Sequence, residues 1–216
     1  MTPTPTLSLG LLLTASAGFI DAVGFIELGG YYTSFMSGNT TQLGASLAAG
    51  QIGAFLLPLS LIAMFIAGSV IGSLLALTST RWGPSAVLSL VLMVLATALT
   101  LSLTGFSSAQ SMIVLAGAAG AQNAILPAKG AARLGTTFVT GTLFAAGQDF
   151  ARALRHQAPR WRWLQHLLVW ASLLVGALVG AGAYAFWHLN ALGIPLLVYL
   201  ALLLAFSIRG PANLPT

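Results

Sequence analysis

Tyr31–Gly44 reads YYTSFMSGNTTQLG, and Leu134–Gly147 reads LGTTFVTGTLFAAG, in a chain that is otherwise strongly apolar. Each stretch is long enough to enter a bilayer, yet each is loaded with hydroxyls, amides and glycine. Aligned, Thr33, Phe35 and Gly38 recur as Thr136, Phe138 and Gly141, Ser34 and Ser37 recur as Thr137 and Thr140, and Gly44 recurs as Gly147. Upstream, Gly18, Asp21 and Ala22 of GFIDA match Gly120, Asn123 and Ala124 of GAQNA. The offset is 102 residues upstream and 103 in the polar phrase, so one residue has entered the intervening loop. The chain reads as a duplicated unit.

Composition says what kind of unit. Of 216 residues, 57% are hydrophobic and 5% charged, where a soluble domain is about a quarter charged. Such a chain is an all-α integral membrane protein, because an ionised side chain at mid-bilayer costs roughly 2.5–3.5 kcal/mol on insertion scales. The absence of cysteine excludes disulfides, thiolate catalysis and Cys-based metal sites. The net charge of +5 comes from a few basic residues set between apolar runs, which makes anionic lipid the expected partner and nucleic acid an unsuitable one. At the N-terminus, Ala15, Ser16 and Ala17 imitate a leader cleavage site. No Lys or Arg precedes the apolar run, however, and the run continues through Phe19, Ile20, Val23 and Phe25, as a first span does.

Apolar windows fall at Leu7–Phe25, Ala54–Leu77, Ser85–Leu103, Ser111–Leu126, Leu164–Trp187 and Leu192–Ile208, giving six expected transmembrane helices. Two weaker stretches, Tyr31–Ala49 and Leu134–Phe150, hold the repeated phrase. If both cross, there are eight spans, and Arg81, Lys129 and Arg133 face away from Arg152, Arg155, Arg160, Arg162 and Arg209. If both are re-entrant, six spans remain and all 8 basic residues share one side with both termini. The positive-inside rule prefers six spans, with the termini cytoplasmic. Partly polar helices also cross when their polar face is buried in protein, which leaves eight open. The whole chain, 1–216, is then one transmembrane domain, with repeat 1 at about 7–104 and repeat 2 at about 109–209. A re-entrant segment gives each repeat an odd number of crossings and inverts the second, as in many transporters. Eight spans would make the repeats parallel.

The residue types suit interrupted segments. Gly38 and Gly141 permit a sharp turn or close approach. Ser37, Asn39, Thr40, Thr140 and Thr142 can satisfy released backbone groups or contact a solute. Asp21 lies inside the first apolar run with no basic neighbour in sequence, and an intramembrane acid is a candidate for coupling; capping or bonding local hydroxyls is the structural alternative. Its counterpart is Asn123, so the expected centre carries one acid and one amide. Gly68 and Gly72 in GSVIG, and Gly176 and Gly180 in GALVG, have the spacing that lets helices approach closely. The segment ARALRHQAPRWRWLQH, from Ala151, reads as a cytoplasmic anchor for anionic lipid with Trp161 and Trp163 at the boundary. Asp149 beside it is expected to pair with Arg152 or Arg155, at modest energy if exposed. His156, His166 and His188 are too scattered for a metal site, and no cofactor is expected.

The G-x-x-D-A element at Gly18, the F-M-S-G-N-T element at Phe35, and Q-N and T-G in the second half resemble the YoaK family of small bacterial inner-membrane proteins, along essentially the whole chain. Here Thr142 stands where a closer echo of Asn39 would be Asn. The resemblance implies a multi-pass inner-membrane location; it supplies no substrate and no catalytic residue. The expected function is a small transporter or channel for a small solute or ion, working as a homodimer. The alternative is a non-transporting assembly or regulatory protein, which the glycine faces serve equally well. An intramembrane enzyme is disfavoured, since no H-E-x-x-H, G-x-S-x-G or Walker A pattern is present.

Overall fold

A computed structural model describes residues 4–51, 53–79, 82–126, 137 and 139–209. The readings made above for Arg81, Lys129, Arg133, Thr136 and Phe138 lie outside these residues. Every regular element among those described is helical: α1 (Thr4–Glu27), α2 (Met36–Ala48), α3 (Leu56–Thr78), α4 (Gly83–Leu103), α5 (Ser108–Gln122), α6 (Val139–Leu154), α7 (Arg162–Trp187), a short 3-10 turn (His188–Leu192) and α8 (Gly193–Arg209).

Local chemistry sets several boundaries. Gly29 and Gly30, at φ 64° and 114°, end α1 in a backbone that residues with a Cβ resist. Pro84 opens α4, where its missing N–H costs nothing. Ser107 and Gln110 form a reciprocal capping box at the start of α5. His188, at φ 49°, breaks α7 from α8.

Four stretches are long and apolar enough to cross a membrane: Thr6–Glu27, Leu56–Thr78, Gly83–Leu103 and Arg162–Ile208. The last, at 47 residues, contains α7, the break and α8. Six such helices were expected and four such stretches are found among the described residues, because α7 and α8 share one of them and α5 belongs to none. At 15 residues it rises about 22 Å, short of a hydrocarbon core of about 30 Å. The polar segment α2, at 13 residues, is shorter still.

Two close helix pairs organise the bundle: α1 lies along α7, and α3 along α5. A Cβ at Gly68 would stand 2.8 Å from Gly117 Cα, and one at Gly72 would stand 2.8 Å from Ala121 Cα. In the other pair, Gly176 meets Ala15 Cα and Gly180 meets Phe19 Cα, again at 2.8 Å. Ala15 and Phe19 lie 102 residues before Gly117 and Ala121, while Gly68 and Gly72 lie 108 before Gly176 and Gly180. The contacts are therefore reciprocal: the first helix of each half packs on the third helix of the other. Between helices in lipid there is no hydrophobic driving force, so such backbone approach and polar bonds carry the association.

Chain direction follows from the same contacts. Numbers rise together in α1 and α7 and in α3 and α5, so each pair is parallel. Across the centre the sense reverses. Gln122 Nε2 donates to the Leu13 carbonyl at 3.0 Å, while a Cβ at Gly24 would lie 3.7 Å from Met112 Sδ. α1 and α5 thus cross antiparallel, near Ala17 and Ala118. Around this crossing sit Leu13 and Val23 of α1, Val87, Leu88, Val91 and Leu95 of α4, and Met112 and Leu115 of α5, all buried.

Candidate functional site

Asp21 sits six residues before the end of α1, about 9 Å down the helix. The chain leaves α1, turns at the two glycines and comes back to this depth. There the half-buried carboxylate collects four donors from the returning loop. Oδ1 accepts from Thr33 N at 2.9 Å, Thr33 Oγ1 at 2.8 Å and Ser34 N at 2.7 Å; Oδ2 accepts from the Ser34 hydroxyl. An apolar surrounding makes each of these bonds costly to leave unmade. Asp21 therefore fixes the loop as well as supplying a charge.

Asn39 fixes the same loop from the other side. It is fully buried, accepts from Tyr32 N at 3.0 Å through Oδ1, and donates through Nδ2 to Tyr32 O at 2.7 Å. Gln42 Nε2 adds a bond to Gly30 O at 3.2 Å. The hydroxyls on the opposite face of α2 turn inward on their own helix: Thr40 Oγ1 donates to Met36 O at 2.8 Å and Thr41 Oγ1 to Ser37 O at 3.0 Å.

In the second half Asn123 takes the place of Asp21. Its amide brackets the Thr137 hydroxyl, with Nδ2 at 3.1 Å and Oδ1 at 3.3 Å from Oγ1, and Nδ2 also reaches Ala119 O at 3.2 Å. Thr142, at the position of Asn39, is buried in α6.

These positions do not form one cluster. Because α1 and α5 cross antiparallel, Asp21 and Asn123 lie on opposite sides of the crossing, roughly 13 Å apart along the helix axes at 1.5 Å per residue. Each is bonded to the segment that follows it in its own half. Ser37 and Thr40 on α2, and Thr140 and Gly141 on α6, are exposed on the protein surface, and Gly38 packs on Phe35 and Tyr32. The inward polar positions of the repeated phrase, among the described residues, are Thr33, Ser34, Asn39 and Thr142.

The centre itself was visible only in outline from sequence. A cavity of about 10 Å³ lies at the crossing, against Ala17, Ala118, Thr33, Ser34, Gln122 and Tyr199, which is room for one water at most. Tyr199 of α8 is fully buried and donates to Gln122 Oε1, so Gln122 ties α5 to both α1 and α8. Gln122 stands beside Asn123 in GAQNA. Tyr199 stands alone in a Leu-rich run, and a single phenol there was the signal that sequence reading passed over.

A second polar cluster closes α6 on α7. Asp149 is buried, with Arg162 Nε at 2.7 Å, His166 Nε2 at 3.3 Å and Arg152 NH1 at 3.4 Å. The expected pairing with Arg152 is present; the burial of Asp149, the shorter Arg162 contact and His166 are what sequence spacing did not reveal. Nearer the other end of α7, the Tyr184 hydroxyl donates to Glu27. Among the described residues, no group of three or more His, Cys, Asp or Glu could hold a metal.

The comparisons agree with this picture of a membrane bundle. The chain is 31% identical over 181 residues to the UPF0700 transmembrane protein RA0705 of Rhizobium meliloti (strain 1021), covering 81% of this chain and 76% of that one. It is 28% identical over 216 residues to the UPF0700 transmembrane protein YoaK of Bacillus subtilis (strain 168), covering 94% and 92%. No solved structure matches. Residues 9–205 match the family described as "Protein of unknown function (DUF1275)", and with that match the chain belongs to this family of transmembrane proteins.

Proposed function

We propose that this protein is a small bacterial inner-membrane transporter or channel for a small solute or ion, built from two inverted repeats. The carrying observation is the antiparallel crossing of α1 and α5, the two helices that carry the GFIDA and GAQNA elements towards their C-terminal ends. Since α3 runs parallel to α5, it runs opposite to α1, so the chain between them makes no net crossing. The same reasoning applies to the chain between α5 and α7. Six crossings with α2 and α6 re-entrant satisfy both conditions, counting α5 as a crossing although its 15 helical residues are fewer than a full span needs; eight full spans would make α1 and α5 parallel. Interrupted segments are the usual setting of transporter sites; here each polar segment is bonded within its own half of the chain. In this reading both termini and the Ala151–Arg162 loop are cytoplasmic, the loop meets anionic lipid, two copies associate as a homodimer, and no catalytic step is involved.

The assembly or regulatory reading has one observation in its favour, the closed centre with its cavity of about 10 Å³. A transporter passes through such a closed state, whereas an assembly protein stays in it. Purified protein screened by thermal shift across metabolite classes separates the two, because a ligand that binds the folded state raises apparent stability by mass action. A saturable shift with one chemical class supports transport; its absence in every class favours assembly. Cysteines introduced singly at Gln51 and Gln157 test the topology in a chain with no native cysteine. Six spans put them on opposite sides of the membrane, and eight put them on the same side.

A further inference from the structure

The cavity at the α1–α5 crossing is too small for a metabolite, yet four of its lining residues are polar. Thr33, Ser34, Gln122 and Tyr199 all reach it and all are buried. The Ser34 hydroxyl spends its proton on Asp21 Oδ2, and the Tyr199 hydroxyl spends its proton on Gln122 Oε1. Each therefore retains oxygen lone pairs that can accept. A water between them has two protons to give, and at about 10 Å³ the cavity sits at the lower bound for holding one.

We propose that this cavity binds one water molecule joining Ser34 to Tyr199, and that the ion crossing the centre of the protein is the proton. The proposal rests on the transport reading and names its substrate. The relay runs from Tyr199 through the water and Ser34 to the Asp21 carboxylate. After the hydroxyls rotate, Asp21 takes the Ser34 proton, Ser34 takes one from the water, the water takes the Tyr199 proton, and the phenol takes one from the solution on its side of the membrane. Asp21 then releases its proton to the solution on the other side, so one proton has moved across and every group is restored.

Proton flux into proteoliposomes under a valinomycin-clamped potassium potential, with no solute added, tests this. The expected result is a flux above that of empty vesicles, cut at least tenfold by Tyr199→Phe and by Ser34→Ala, with both variants monodisperse and cooperatively melting. Flux no greater than that of empty vesicles overturns the inference, and that result needs no variant to fold. Flux that either folded variant leaves unchanged overturns it too. A saturable thermal shift with a solute in a proton-tight protein would leave the transport reading standing while this inference falls; loss of both removes both.

Discussion

The α1–α2 and α5–α6 junctions occupy equivalent places in the two halves and are fastened differently. The first is held at its loop, where Asp21 gathers Thr33 and Ser34 and Asn39 grips Tyr32. At the second, a neutral Asn123 pairs with Thr137, and the strong tie lies at the far end of α6, where Asp149 meets Arg162 and His166 of α7. Asp149 is equivalent to Ser46 of α2, which is also buried. The helix-to-helix glycine contacts, by contrast, are the same in both halves. The backbone contacts recur between the two halves of the chain, while the polar bonds differ.

The largest expected effect probes the conserved part of this comparison. A Cβ at Gly68 or Gly176 overlaps a carbonyl oxygen on the facing helix, that of Gly117 or of Ala15. Backbone cannot step aside as a side chain can, so Gly68→Ala and Gly176→Ala should each cost at or above the upper end of the roughly 1–3 kcal/mol typical of overpacking. Melting in detergent reads the loss, and the two should match within about 1 kcal/mol if the halves are packed alike. A loss in one variant alone would break the equivalence.

Next in size is Asp21→Asn. The amide looks conservative, but both carboxylate oxygens accept only donors, so whichever oxygen becomes NH2 faces another donor. About 2 kcal/mol of destabilisation is expected for the bonds left unmade, whereas the reverse change in the other half, Asn123→Asp, leaves Thr137 able to donate. Equal melting of Asp21→Asn and the parent would show that the loop is held by Asn39 alone.

Asp149→Asn should cost less, about 1–2 kcal/mol. Breaking a buried ion pair costs more than that when both partners are dry, but the Arg162 and Arg152 side chains are 32% and 52% exposed, so solvent screens what they lose. The counterpart Ser46→Ala should stay within about 0.5 kcal/mol of the parent. If the two variants melt alike, the ion cluster is not what closes α6 on α7.

Much of this architecture was legible in the sequence because lipid imposes a coarse code. Among the described residues hydropathy placed the six apolar helices to within four residues, though not the shortness of α5, and the recurrence of GFIDA as GAQNA marked the helices that cross. Gly68, Gly72, Gly176 and Gly180 were readable as contact points because close approach demands small residues at fixed spacing. The grouping of the polar side chains was not legible. Asp21 and Asn123 match in the aligned sequence stretches, which predicts a shared centre; the antiparallel crossing of α1 and α5 instead puts them on opposite sides of it. Nor does spacing show which face of a short polar helix turns inward, so Ser37, Thr40 and Thr140 were named while Thr33 and Ser34 do the inward bonding. Tyr199 and His166 meet their partners only through tertiary structure, which no local pattern encodes.

The smallest expected effect has the opposite sign. Gly44 and Gly147 are equivalent, both lie inside helices, and among the described residues nothing stands within 4 Å of a Cβ placed on either. Neither has a positive φ. Glycine in such a place costs a helix roughly 0.5–1 kcal/mol relative to alanine, so Gly44→Ala and Gly147→Ala should each raise the melting temperature slightly. Within one copy of the chain, then, these two glycines have no steric reason to recur. If the substitutions stabilise the protein in detergent yet lower its dimer fraction or its transport, the glycines serve a contact outside the single chain, and the symmetry of the two halves extends to what each half meets. If they stabilise it and change nothing else, their recurrence is a relic of the duplication. If only one of the pair stabilises, the exposed faces of α2 and α6 have diverged as their polar fastenings have.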